Sequence, residues 1–175
     1  MLDEVQTGNG RCGRYFAYQL NGILPDILST AKGLGNGYPI GAVLAAGKAA
    51  GTFQPGHHGS TFGGSPLACR AGLAVYDALS NEDLIGNAER MGNYLLQGFR
   101  TALAGSDRVK DIRGRGLMIG IELTASGKHL VARARELGLV LNVTAATVIR
   151  LVPPLIINKT EADFLIATVS KIVQE

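Results

Sequence analysis

Apolar residues recur at helical spacing over residues 84–103, where Met91, Leu95, Leu96, Phe99 and Leu103 share one face and polar residues fill the other. This pattern predicts an amphipathic scaffold helix. Over 66–79 the run Leu67, Ala68, Ala71, Leu73, Ala74, Val75 and Leu79 predicts a buried helix, with Ser65 as N-cap and Pro66 at its first position. A further helix is expected over 128–137. A last one starts at Thr160, read as its own cap, with Glu161 and Asp163 in the first turn. Strand patterns occupy 109–113 and 117–123, across a Gly114-Arg115-Gly116 turn, then 139–143 and 148–152. In the first half, residues 1–6 read as the end of a buried strand carrying an acidic residue to its tip. Residues 14–22 form a short helical segment ending at Gly22. Residues 23–31 approach a second strand with Pro25 at its entrance. The small apolar run over 40–45 predicts a strand covered on both faces. The character changes at Asn81-Glu82-Asp83, which places one region over 1–82 and an α+β region with its own apolar residues over 83–175.

Composition narrows the class. A chain of 175 residues, 46% hydrophobic and 18% charged, is long enough to bury a core as one domain or two small ones. Its net charge of +3 carries no run of like sign, and aromatics are 6%, so nothing marks a nucleic-acid or membrane partner. No apolar stretch is long enough for a membrane span or a secretory signal. Cys12 and Cys69 stand far apart, which argues for a reducing, cytoplasmic setting and against a disulfide framework or zinc site.

Candidate chemistry centres on Lys32, which follows a mostly apolar run and opens onto Gly33, Gly35 and Gly37. A lysine whose ammonium is partly desolvated is available as a nucleophile or base; the plainer alternative is a lysine capping a strand end. Lys48, Lys110 and Lys128 lack this glycine-rich setting. Asp3, at a strand tip, either faces a cationic ring nitrogen or caps the next turn. The loop His57-His58-Gly59-Ser60-Thr61-Phe62-Gly63-Gly64 sets hydroxyls beside glycines, a combination that offers O–H and N–H donors to an anion. His57 and His58 have no nearby carboxylate or cysteine and read as solvated loop residues, so no metal site is expected. Arg150, inside the apolar run Thr147-Val148-Ile149-Arg150-Leu151-Val152, calls for an anionic partner from protein or substrate. Glu122 reads as the partner of a neighbouring basic residue, Cys12 and Cys69 as inert, and Tyr15 and Tyr18 as packing residues. Gly47-Lys48 lacks the phosphate-loop spacing and its Ser/Thr, and Gly33, Gly35 and Gly37 lack the dinucleotide spacing.

Four segments together, Leu2-Asp3-Glu4-Val5-Gln6-Thr7-Gly8-Asn9-Gly10-Arg11, Ala31-Lys32-Gly33-Leu34-Gly35, Pro55 through Gly64, and Arg150-Leu151-Val152-Pro153-Pro154, resemble in order the motifs of class III pyridoxal-phosphate aminotransferases. The resemblance extends over essentially the whole chain and is greatest to members acting on N2-acetylornithine in arginine biosynthesis. It implies an α/β fold of the fold-type I pyridoxal-phosphate transferases: the C-terminal half of the large domain followed by the small α+β C-terminal domain. By this resemblance Lys32 matches the lysine that holds pyridoxal 5'-phosphate as a Schiff base and then moves a proton between substrate and cofactor. Asp3 matches the aspartate paired with the pyridine nitrogen, and Gln6 the residue near the phenolic oxygen. Thr61 resembles the threonine reaching the cofactor phosphate of a neighbouring subunit, with Ser60 assisting through its backbone. Arg150 resembles an arginine binding a substrate carboxylate. A homodimer with sites at the subunit interface follows, with 2-oxoglutarate as the amino acceptor.

The family's phosphate cup, cofactor-stacking aromatic ring, substrate-side acidic residue and second substrate arginine cannot be placed in this sequence. The expectation is therefore an N-terminally truncated chain, weakly active or inactive alone. Two classes stay open: a transaminase or its C-terminal part, and a non-catalytic remnant able to pair with a complete subunit. Ornithine, succinyl-diaminopimelate and 4-aminobutyrate are alternative donors that the sequence does not separate.

Overall fold

A computed structural model describes residues 1–175, which divide into two compact units, Met1–Ile85 and Gly86–Glu175. No helix in it is long and apolar enough to cross a membrane.

The first unit is built on a three-stranded sheet in the order β1 (Leu2–Asp3), β2 (Ile27–Thr30), β3 (Ala42–Ala45). Strands β1 and β2 run parallel, with Leu2 opposite Leu28 and Asp3 opposite Ser29; β3 returns antiparallel to β2. The excursion between β1 and β2 contains the expected helical segment as a short 3-10 helix, Ala17–Asn21, which ends on Gly22. A second 3-10 turn, Lys32–Leu34, follows β2, and helix α1 (Pro66–Asn81) closes the unit. Two expectations are corrected here. Strand β3 is not covered on both faces: all four of its residues are exposed, because it is an edge strand and no layer of the unit lies over it. Helix α1 is not buried either. Only Ala68 and Leu79 are enclosed, while Leu67, Leu73 and Tyr76 face solvent, and Ser65 makes no side-chain cap bond. Small apolar residues specify strand and helix geometry by propensity, but burial needs a second layer.

The second unit supplies that layer for itself. A four-stranded antiparallel sheet, in the order β4 (Val109–Arg115), β5 (Met118–Leu123), β7 (Val148–Leu151), β6 (Asn142–Thr144), is packed with helices α2 (Leu84–Ala102), α3 (Leu130–Glu136) and α4 (Lys159–Gln174). Alternate residues Ile119, Ile121 and Leu123 of β5 point inward with Ile149 and Leu151 of β7, as a half-buried sheet requires. They meet Leu95 and Phe99 of α2 and Val169, Ile172 and Val173 of α4 in one continuous core. The β4–β5 turn is tighter than expected, since β4 runs to Arg115 and only Gly116 and Leu117 intervene. The cap of α4 is Asn158, not Thr160. Its side chain accepts the Glu161 N–H at 3.0 Å, and the Glu161 carboxylate accepts the Asn158 N–H at 2.9 Å. This reciprocal box satisfies two helix-end donors at once, which a Thr160 cap would leave open.

Candidate functional site

Parallel pairing of β1 with β2 brings two chain segments to the same sheet end. Asp3 closes β1 opposite Ser29, and Lys32 lies three residues beyond Ser29, just past the end of β2. In open α/β sheets this carboxyl end is where ligands bind. The Lys32 backbone is held at φ +43°, a left-handed conformation uncommon for a side chain of this size. The turn is closed by hydrogen bonds from the N–H groups of Gly35 and Asn36 to the Lys32 carbonyl. Gly35 is required there: a Cβ would sit 2.1 Å from the Tyr38 carbonyl oxygen. Helix α1 supports the other side of the turn through Gly72, which lies against Leu34 and Ile40.

Lys32 itself is exposed, which corrects the expectation of a partly desolvated ammonium. The unit's own side chains leave the end of β2 open. Asp3 is exposed too, and its Oδ1 accepts the Val5 N–H at 2.9 Å, with the Ser29 hydroxyl 3.5 Å away. Within the chain, then, Asp3 caps its own turn through Oδ1. Gln6 sits in the same turn, half-buried. Ser60 and Thr61 are exposed; Ser60 Oγ accepts the Gly63 N–H at 3.0 Å, and the hydrogen bonds of this loop stay within residues 51–69. No hydrogen bond joins them to Asp3 or Lys32.

Two residues that organise this end were not singled out by sequence reading. Glu4 is 3% exposed, and its carboxylate accepts the Ala17 N–H at 3.0 Å, the Tyr18 N–H at 2.8 Å and the Thr7 hydroxyl. It fastens the tip of β1 to the start of the 3-10 helix. Asn9, 4% exposed, donates from Nδ2 to Thr30 Oγ1 at 2.9 Å and to the Ala31 carbonyl at 3.4 Å, so it ties the glycine-rich loop to the residues preceding Lys32. Its place between two glycines signals a turn but not a long-range bond. Near this latch, burial pushes the Cys12 thiol above its ordinary range, with a smaller push from Glu4 and an opposing pull from Arg11.

Arg150 belongs to the second unit, where it pairs across the sheet with Gly120 and Asn142. No acidic side chain pairs with it, and its Nε is buried without a hydrogen-bond partner. It borders a cavity of about 530 Å³ whose walls are largely apolar, among them Leu139, Leu141, Pro153 and Phe164; Glu161 also lines it, with its carboxylate engaged by the Asn158 N–H. The anionic partner expected of Arg150 is therefore not a group of this unit. Glu122, by contrast, has the basic neighbours expected of it, Lys110 at 2.8 Å and Arg113 at 2.6 Å, and they hold its carboxyl below the usual range.

The family model for "Aminotransferase class-III" matches residues 1–173. The chain belongs to the class-III aminotransferases. Within that family it is 52% identical over 175 residues to acetylornithine aminotransferase 1 of Bordetella pertussis, covering all of this chain and 44% of that protein. The solved acetylornithine aminotransferase of Elizabethkingia anophelis superposes with a TM-score of 0.90 at 35% identity, over 97% of this chain and 46% of that one. The ornithine aminotransferase of Toxoplasma gondii, in a structure described as having partial occupancy of PLP at its active site, gives 0.92 at 36% identity, over 98% and 42%. The fold is accordingly that of the fold-type I pyridoxal-phosphate enzymes, and the class-III aminotransferases are pyridoxal-phosphate-dependent. The chain spans less than half the length of these relatives.

Proposed function

We propose that this chain contributes the lysine and the ring-facing carboxylate of a transaminase that exchanges an amino group between N2-acetylornithine and 2-oxoglutarate in arginine biosynthesis. The observation that carries the reading is the placement of Asp3 and Lys32 at the carboxyl ends of adjacent parallel strands. The residues fit pyridoxal phosphate in kind: an exposed primary amine suits an aldehyde, and an exposed carboxylate suits a protonated ring nitrogen. When bound, the cofactor supplies a sink for the electron pair left on the substrate carbon. Lys32 Nζ is the group that takes and returns the proton at that carbon. The Asp3 carboxylate would keep a proton on the ring nitrogen, and Gln6 would serve the phenolic oxygen. Ser60 and Thr61, in their exposed loop, donate toward the phosphate held by a second copy of the protein, which makes a homodimer part of the reading. Arg150 fixes a substrate carboxylate by paired N–H donors, and its unpartnered Nε supports that role. The two cysteines, both free, are consistent with a cytoplasmic setting.

The test is to incubate the chain with pyridoxal phosphate, reduce with borohydride and map the modified lysine. Modification concentrated on Lys32 and lost in Lys32→Ala is expected; labelling spread evenly over the lysines would sink the proposal. Comparing N2-acetylornithine, ornithine and 4-aminobutyrate as amino donors to the loaded protein then ranks the substrates. A second reading, a non-catalytic partner of a complete subunit, draws on the exposed apolar side chains Val43, Leu44, Leu67 and Leu73. Even labelling together with capture of a complete subunit would favour it.

A further inference from the structure

We propose that Asn9 is a positioning residue for Lys32, setting the backbone conformation from which the amine is presented. This rests on the reading of Lys32 as the reactive lysine.

Asn9 touches the chain on both sides of Lys32. Before it, the side-chain Nδ2 donates to Thr30 Oγ1 at 2.9 Å and to the Ala31 carbonyl at 3.4 Å. After it, Asn9 Cβ lies 3.1 Å from where a Cβ on Gly33 would stand, so a side chain there would push the two segments apart by a few tenths of an ångström. Residues 30, 31 and 33 are thereby fixed by one side chain, and the residue left between them is the one held at φ +43°. The Ala31 carbonyl also accepts the Leu34 N–H at 2.9 Å, so the latch and the 3-10 turn share one acceptor. The orientation of the Asn9 amide is not arbitrary. Ala31 offers only an acceptor, so the NH₂ must face it, and the Oδ1 is left buried and without a donor. Asn9 is itself at φ +55°, a conformation asparagine adopts more readily than most residues, which explains why this side chain can reach back from a glycine-flanked turn. An amide is therefore held at a cost, with one buried valence unmet, where an apolar side chain would serve mere packing better. An inward-facing donor pair that fixes the strand end beyond which Lys32 turns accounts for its presence.

Three variants of the 175-residue chain test this. Asn9→Gly keeps the left-handed backbone and deletes the amide; Thr30→Val deletes one acceptor at nearly constant shape; Thr30→Ser keeps it. The readout is competitive acetylation with trace acetic anhydride across a pH series, quantified at Lys32 against Lys48 and Lys110, which requires no cofactor. In Asn9→Gly, the relative reactivity of Lys32 is expected to change by about fivefold, while the reference lysines stay put. Thr30→Val should move Lys32 in the same direction by a smaller factor, and Thr30→Ser should match the parent. A Lys32 profile in folded Asn9→Gly that superimposes on the parent's overturns the inference. If Asn9→Gly does not fold, identical profiles for Thr30→Val, Thr30→Ser and the parent overturn it. Borohydride trapping of pyridoxal phosphate on the parent is read separately: its failure removes Lys32 as the cofactor lysine and leaves the acetylation result, which concerns Asn9, intact.

Discussion

The second unit encloses twenty apolar residues in one core, whereas the first encloses four, Cys12, Leu28, Ala68 and Leu79. Both halves are comparably rich in apolar residues along the sequence, so the difference is one of layers. In the second, helices cover a sheet; in the first, a sheet with an exposed edge strand carries the candidate chemistry. Order in the first unit rests more on polar fasteners such as Glu4 and Asn9 than on apolar enclosure. One unit is held by packing, the other by specific hydrogen bonds, and the two should respond differently to the same kind of damage.

The largest contrast comes from truncating large side chains. Phe99→Ala in the second unit should cost about 3–5 kcal/mol, because it opens a cavity in a close-packed core. Leu73→Ser in the first, where the side chain is 54% exposed, should cost less than about 0.5 kcal/mol. Chemical denaturation of each variant measures this, and equal losses would break the comparison. Next in size, Glu4→Ala should destabilise by about 2–4 kcal/mol, since three donors on residues 7, 17 and 18 lose a buried charged acceptor. It should also raise amide exchange at Ala17 and Tyr18 while leaving β5 unchanged. Smaller again, Asn158→Ala should cost about 1 kcal/mol through the lost box at the start of α4, with fraying confined to that helix.

The smallest effect is in the pH response of the first unit. The Cys12 thiol, buried and beside Glu4, holds its proton more tightly in the folded than in the unfolded chain. Its contribution to stability is therefore complete below the ordinary thiol range of about 8.5 and is lost as pH rises through the raised folded value. Cys12→Ala should flatten the alkaline limb of the stability curve. Iodoacetamide at mildly alkaline pH should modify Cys69, which is exposed on α1, well before Cys12. That separates two thiols that sequence alone read as equally inert.

How much was legible follows the same division. The periodicity of α2 predicted its buried face, because the covering layers come from the same unit and the local pattern and the global packing agree. In the first unit the runs at 40–45 and 66–79 predicted strand and helix correctly but buried faces wrongly, since apolar character records a preference and not the presence of a neighbour. Lys32 and Asp3 were visible as motif residues. Their meeting at one sheet end depended on the parallel pairing of β1 with β2, which no local pattern encodes. Asn9 and Glu4 were hidden for a related reason: apart from Thr7, their partners lie 13 to 22 residues away along the chain, beyond any turn signal.

Strand β1 pairs parallel with β2, so its register forms only once the excursion between Asp3 and Ile27 has closed. The Glu4 carboxylate, by gripping Ala17 and Tyr18, divides that excursion into two shorter closures, each with a smaller entropy to overcome. A lesion at Glu4 leaves one longer loop to close before that register forms, and so weakens the sheet end that carries Asp3 and Lys32 without touching either.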